Sequence, residues 1–143
     1  MTLESEHVEL VGLANNRIKI SVPACLENLS LVRSTAKAFF NHEHVGEKDI
    51  FMLLSVIDEL ATNVVEHGYK GERGDIIIEI QRSDKKLCIM VKDHGSGFVE
   101  QDTNKEEGGM GLIITKSIAD DFTMENHSDG TTFHIVKNIE EVV

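Results

Sequence analysis

Cysteine is scarce in this chain: Cys25 and Cys88 alone among 143 residues cannot build a disulfide framework, and no short spacing pairs them as metal ligands. Both sit inside apolar stretches, so they are expected to be buried free thiols in a reducing compartment. At this length one domain buries roughly two-thirds of the surface that its unfolded chain exposes, so no cross-link is needed. Long apolar runs are also missing. Nothing approaches the ~20 residues of a membrane span, and no charged-then-apolar leader opens the chain, which points away from membranes and toward a cytoplasmic protein. Positive charge is in short supply: 14 Lys and Arg stand against 25 Asp and Glu, a formal net charge of −11. Phosphate backbones are bound by clustered Lys and Arg with counterion release, so direct nucleic-acid binding is excluded and a protein partner is favoured. Two phosphate-binding designs are absent as well. There is no Gly-x-x-x-x-Gly-Lys-Ser/Thr loop, and Gly95-Ser96-Gly97 runs on into Phe98-Val99-Glu100 rather than completing a dinucleotide fingerprint.

What is present alternates between strand and helix periods. Residues 6 to 22 read as one or two strands, His7 to Val11 and Arg17 to Val22. Pro23 suits a first helical position, and Leu26, Leu29, Val32, Ala36, Phe39 and Phe40 continue at helical spacing to about Asn41. A second helix runs from Glu47 to His67 on the apolar stripe Ile50, Leu53, Leu54, Ile57, Leu60, Ala61, Val64 and Val65. Gly68 to Gly74 breaks it, and Asp75 to Ile80 with Lys86 to Val91 form a hairpin. Residues 98 to 108 are polar and read as a loop able to close over a ligand. A third helix spans about Gly109 to Asp120, with Leu112, Ile113, Ser117 and Ile118 facing inward. Asp129-Gly130 then turns a hairpin between Phe122–Asn126 and Thr131–Val136. The expected fold is a single α+β domain over 1–143, a two-layer α/β sandwich with three helices on one face of a mixed, mostly antiparallel sheet.

Three stretches carry chemistry. Glu59 and Asn63 lie one turn apart on one face of the second helix, with His67 continuing the line. A carboxamide there can supply one oxygen to Mg²⁺, which keeps waters and takes few protein ligands beside phosphates. A carboxylate can take the proton of a hydroxyl attacking a γ-phosphate. Asp93-His94-Gly95-Ser96-Gly97 puts a carboxylate at the end of an apolar run, followed by glycines that let backbone approach a flat ligand. That carboxylate can accept from the exocyclic amine of adenine, a contact that guanine with its oxo group cannot make. Gly108-Gly109-Met110-Gly111-Leu112 opens a helix, where unpaired N–H groups and the dipole suit a polyphosphate. Each stretch alone also has a plain structural use: a polar helix face, a turn aspartate, helix-start glycines.

In their order, Glu59 with Asn63, Asp93-x-Gly95-x-Gly97, Gly108-Gly109-Met110-Gly111-Leu112 and Gly130-Thr131-Thr132-Phe133 resemble the ATPase superfamily shared by gyrase, Hsp90, histidine kinases and MutL. Within it, Asp58-Glu59-Leu60-Ala61-Thr62-Asn63 with His67-Gly68-Tyr69 is similar to the anti-sigma factor serine/threonine kinases of partner-switching circuits, over about Arg17 to Asn138. The resemblance implies ATP and Mg²⁺ as cofactors, Glu59 as general base, Asn63 as Mg²⁺ ligand and Asp93 as adenine reader. It makes Gly95 and Gly97 the purine-side loop, Gly109 and Gly111 the phosphate-side glycines, and Thr132 or its neighbour Thr131 a hydroxyl holding adenine through water. Arg33 is similar in place to an arginine used in partner contact. The partners implied are an antagonist (anti-anti-sigma) protein as phosphorylation substrate, a sigma factor, and a second copy in a homodimer. Two other readings compete: a non-catalytic ATP/ADP-binding switch, against which the retained Glu59 argues, and a detached histidine kinase ATPase domain, for which no phosphoacceptor histidine hairpin is left.

Overall fold

The computed structural model describes residues 9–11, 16–69, 73–95 and 106–139, with side chains described from 16 onward except at 106–111. The strands are β1 (Glu9–Val11), β2 (Arg17–Pro23), β3 (Asp75–Ser83), β4 (Lys86–Asp93), β5 (Asp121–His127) and β6 (Gly130–Asn138). They make one sheet in the order β1-β2-β3-β4-β6-β5. The helices are α1 (Leu29–His42), α2 (Glu47–Asn63) and α3 (Glu106–Ile118). The expected α+β sandwich is present, with one correction: every strand pair among the described residues is antiparallel, so the sheet is not mixed.

Register explains where the site falls. On the inward face, the partners Ile18, Ile80, Ile89, Ile135 and Phe122 line up across five strands, and Ile20, Ile78, Val91, Phe133 and Met124 line up beside them. In the next row toward the end of β4, Val22 and Ile76 continue the core on β2 and β3, while β4, β6 and β5 supply the polar Asp93, Thr131 and Asn126. Two apolar rows therefore anchor the sheet against the helices, and a one-residue slip would turn both to the other face. Each fully buried Ile or Phe in them contributes roughly 1.5–3 kcal/mol. The polar side chains of the third row thus sit beside core residues, at the end of β4.

α2 is the central helix, in contact with both α1 and α3. Glu47 and Asp49 in its first turn complement the helix dipole, and Ile50, Leu53, Ile57, Leu60 and Ala61 are buried at the expected spacing. The predicted helix to His67 divides. Regular α-helix stops at Asn63, and Val64–Gly68 forms a π turn that accommodates an extra residue in the winding. Pro23 is not the start of a helix but the last residue of β2, opposite Asp75, a strand end where its missing N–H is tolerated. The Asn28 amide donates to its carbonyl at 2.9 Å, and a short 3₁₀ turn, Leu26–Asn28, leads into α1.

Two further expectations are corrected by side-chain direction. Cys88 is exposed and Cys25 half-buried; both are free, but Cys88 occupies the outward phase of β4 between inward Leu87 and Ile89. On α3, Leu112 and Ile118 pack on the core as expected, whereas Ile113 is 64% exposed and Ser117 points outward. The helix buries Thr115 instead, whose hydroxyl has no hydrogen-bond partner. A buried hydroxyl without a partner costs about 1–3 kcal/mol, so Thr115→Val, which keeps the shape, should raise unfolding stability by about 1 kcal/mol in urea denaturation. An unchanged or lower denaturation midpoint would mean that the hydroxyl is satisfied in solution.

Candidate functional site

Asp93 ends β4 with its side chain on the inward face and 0% exposed. The Gly95 N–H donates to its Oδ1 at 2.9 Å, an Asx turn that bends the chain out of the strand. Oδ2 is buried with no hydrogen-bond partner. Burial drives the Asp93 pKa above the ordinary carboxylate value, and the Gly95 and Thr131 N–H groups and His94 pull it back only in part. A fully enclosed carboxylate with one unsatisfied oxygen is costly unless a ligand donor completes it.

Three glycines shape the walls around it. A Cβ on Gly68, the end of the π turn, would lie 3.0 Å from Asp93 Oδ2, so only a glycine there leaves that oxygen uncrowded. A Cβ on Gly95 would fall 1.9 Å from the Gly68 carbonyl oxygen, and one on Gly130 2.0 Å from the Asp93 carbonyl oxygen. Gly130 also holds φ at +146°, a conformation that side chains rarely adopt. The π turn, the end of β4 and the start of β6 thus meet at van der Waals distance around one carboxylate.

The two threonine candidates separate by strand phase. Thr131 pairs directly with Asp93, faces inward, is fully buried and donates to Asn126 Oδ1 at 2.8 Å. Thr132 pairs with Lys92 and takes the opposite phase of β6, away from the Asp93 carboxylate. Of the two, Thr131 lies on the same face of the sheet as the Asp93 carboxylate and Thr132 on the other.

Glu59 and Asn63 stand one turn apart on α2, Asn63 buried at 8% exposure as the last residue before the π turn, Glu59 half-buried. The helix that ends in Gly68 against Asp93 thus also carries both polar candidates. α3 packs along α2. It starts at Glu106, three residues before the expected Gly109, so Gly108 and Gly109 lie within its first turn, where backbone N–H groups lack intrahelical acceptors. Met110, Gly111 and Leu112 follow on the same helix, with Leu112 packed against the core. Gly97 and the 98–105 part of the expected loop lie outside the described residues.

Arg33 on α1 reaches across to α2 and grips Asp58 in a bidentate pair, Nε to Oδ2 and Nη2 to Oδ1, both at 3.0 Å. Asp58 is the immediate neighbour of Glu59. Held by Arg33, it is poorly placed to serve as an alternative base. Among the described residues no cluster of three or more His, Cys, Asp or Glu could hold a metal ion. In the sequence, Gly68 and Gly130 read as a helix break and a hairpin turn, and Tyr69 enters only within the resemblance, without a part in shaping the site; the signal available was the glycine-rich setting of the chain's one tyrosine.

The raised Asp93 pKa has a checkable consequence in the ligand-free protein. A group whose folded-state pKa lies above its unfolded value favours folding when protonated, and that contribution is lost as pH rises through the folded value. Asp93→Asn should therefore be more thermostable than the parent at neutral pH, with the gap shrinking as pH falls into the carboxylate range. A gap that widens on acidification would contradict the burial account.

The family model described as "Histidine kinase-like ATPase domain" matches residues 22–137. A protein from Bacillus cereus named serine-protein kinase RsbW is 30% identical over 138 residues, covering 87% of this chain and 86% of that protein. The anti-sigma F factor of Bacillus licheniformis is 26% identical, covering 88% and 94%. Among solved structures, the RsbU and RsbW domains of a Mycobacterium tuberculosis protein align with a TM-score of 0.72 at 19% identity, over 89% of this chain and 33% of that one. A histidine kinase domain from Erythrobacter litoralis aligns at 0.59 with 13% identity, over 82% of this chain and 62% of that one. The two structural likenesses speak for the fold, and the family match and the Bacillus relatives, over nearly the whole chain, for descent. This chain belongs to the histidine kinase-like ATPase family, in its branch of anti-sigma factor serine-protein kinases.

Proposed function

We propose that this protein transfers the γ-phosphate of ATP to a serine or threonine of a small antagonist protein, and captures a sigma factor when that antagonist is absent or phosphorylated. The observation that carries the nucleotide part is the Asp93 Oδ2 atom, buried and without a partner. The exocyclic amine of adenine is the donor that satisfies it, and the oxo group of guanine in the same place would face a second acceptor. Thr131 stands beside it to hold the base, and the Gly95 turn forms the purine side. The first turn of α3, with Gly108 and Gly109, offers N–H groups to the phosphates.

Asn63 is the residue to hold Mg²⁺, which when bound offsets the triphosphate's charge. In the transfer, the acceptor hydroxyl oxygen bonds to the γ-phosphorus, the bond to the β-phosphate oxygen breaks and ADP leaves. The hydroxyl proton passes to the Glu59 carboxylate. Arg33, in its pair with Asp58 on the outer side of α1 and α2, is the proposed partner contact. The relatives named RsbW and anti-sigma F factor support the antagonist and the sigma factor as partners. A homodimer and a cytoplasmic location complete the reading; no helix among the described residues is long and apolar enough to cross a membrane.

Calorimetry with ATP and GTP, each with and without Mg²⁺, tests the nucleotide part. ATP should bind in clear preference to GTP and more tightly with Mg²⁺. Equal affinities for the two bases would remove Asp93 as the reader.

A further inference from the structure

Tyr69 immediately follows the π turn, and its hydroxyl is used to capacity. It donates to the Asp75 carbonyl at 2.7 Å and accepts the Asp75 N–H at 3.1 Å and the His94 N–H at 2.9 Å. A phenol has one proton to give and two lone pairs to offer, so nothing remains for a ligand. The ring is equally committed: a Cβ on Gly74 would lie 2.0 Å from its Cε1 and Cζ, and one on Gly95 3.2 Å from its Cδ1. Both glycines lie against the Cδ1 edge of the ring. Burial raises the pKa of the hydroxyl above its ordinary value, farther from neutral pH.

The three bonds tie three segments together at one atom: the helix carrying Glu59 and Asn63, the start of β3, and the chain just past Asp93. The His94 N–H is the first backbone donor beyond β4, in the turn whose Gly95 N–H fixes Asp93 Oδ1. We propose that Tyr69 is the positioning residue for base recognition: it fastens the turn after Asp93 to the end of the α2 helix and so aims the Asp93 carboxylate at the nucleotide base. This inference rests on the assignment of Asp93 as adenine reader. It makes Tyr69 a determinant of purine specificity although it touches no ligand.

Tyr69→Phe removes the hydroxyl alone and leaves the Asp75 and His94 N–H groups without their acceptor. Gly74→Ala keeps the hydroxyl but displaces the ring that carries it. Calorimetry with Mg·ATP, Mg·GTP and Mg·tripolyphosphate, on the parent and both variants, separates base reading from phosphate binding. Either variant should weaken ATP by about tenfold, while tripolyphosphate affinity is kept and the ATP-to-GTP preference shrinks. In the parent, hydrogen exchange at the His94 amide should be slow. A parent that does not discriminate ATP from GTP overturns the Asp93 assignment and this role with it. A discriminating parent overturns the Tyr69 role alone if Tyr69→Phe discriminates equally well, or if it loses ATP, GTP and tripolyphosphate affinity in equal measure. Should neither variant fold, a His94 amide exchanging at the rate of free chain would overturn it in the parent.

Discussion

Replacing Asp93 by alanine is expected to weaken ATP and ADP binding by roughly 10- to 150-fold, the loss of a buried charged hydrogen-bond partner worth ~1.5–3 kcal/mol. GTP affinity should change far less, because guanine gains nothing from this carboxylate. The same substitution removes a buried charge whose second oxygen has no partner in the ligand-free protein, so binding and stability should move in opposite directions. That opposition distinguishes a ligand-reading carboxylate from one that merely holds the turn: a structural aspartate, once removed, would lower both. Calorimetry with both nucleotides and thermal unfolding of the empty variant give the two readings on one sample.

Glu59→Ala should leave ATP binding near the parental value while slowing phosphoryl transfer by about 10²–10⁴-fold, since a general base acts on the nucleophile and contributes little to ground-state nucleotide contacts. Asn63→Ala, by contrast, should lose the Mg²⁺-dependent part of ATP binding. Single-turnover transfer under saturating ATP isolates the chemical step. A Glu59 variant that phosphorylates at the parental rate would move the base elsewhere, and Asp58, bound by both ends of the Arg33 guanidinium, is not the natural replacement. Glu66, exposed on the π turn, would then be the carboxylate to test.

Periodicity made much of this fold legible. The alternation in Arg17–Val22 marks which side chains face the helices; the apolar runs Ile76–Ile78 and Leu87–Val91 mark strands without marking a face, and the structure buries every second residue in all three. The α2 stripe was equally readable because its apolar residues recur at three and four over five turns. Asp93 is legible as a site candidate through its place among the ordered motifs, since a carboxylate closing an apolar strand before glycines serves equally as a turn aspartate. What periodicity does not carry is the partner of each side chain. Nothing local to Pro23 says whether its fixed φ begins a helix or ends a strand; pairing with Asp75, over fifty residues away, decides it. Cys88 reads as buried by its apolar neighbours, yet its phase in β4 turns it outward. Thr131 and Thr132 are indistinguishable until register pairs the first with Asp93. The π turn and the three bonds of Tyr69 depend on segments brought together only in the folded chain, and no window of sequence contains them.

The most direct test of the whole account is transfer of label from γ-labelled ATP to a purified antagonist protein, followed by identification of the modified residue. The parent protein should place phosphate on a serine or threonine of the antagonist, Mg²⁺ should be required, and Glu59→Ala should bind ATP without transferring it at a comparable rate. ATP bound tightly with no label reaching the antagonist under any of these conditions would contradict the kinase, and would leave a nucleotide-binding switch in its place.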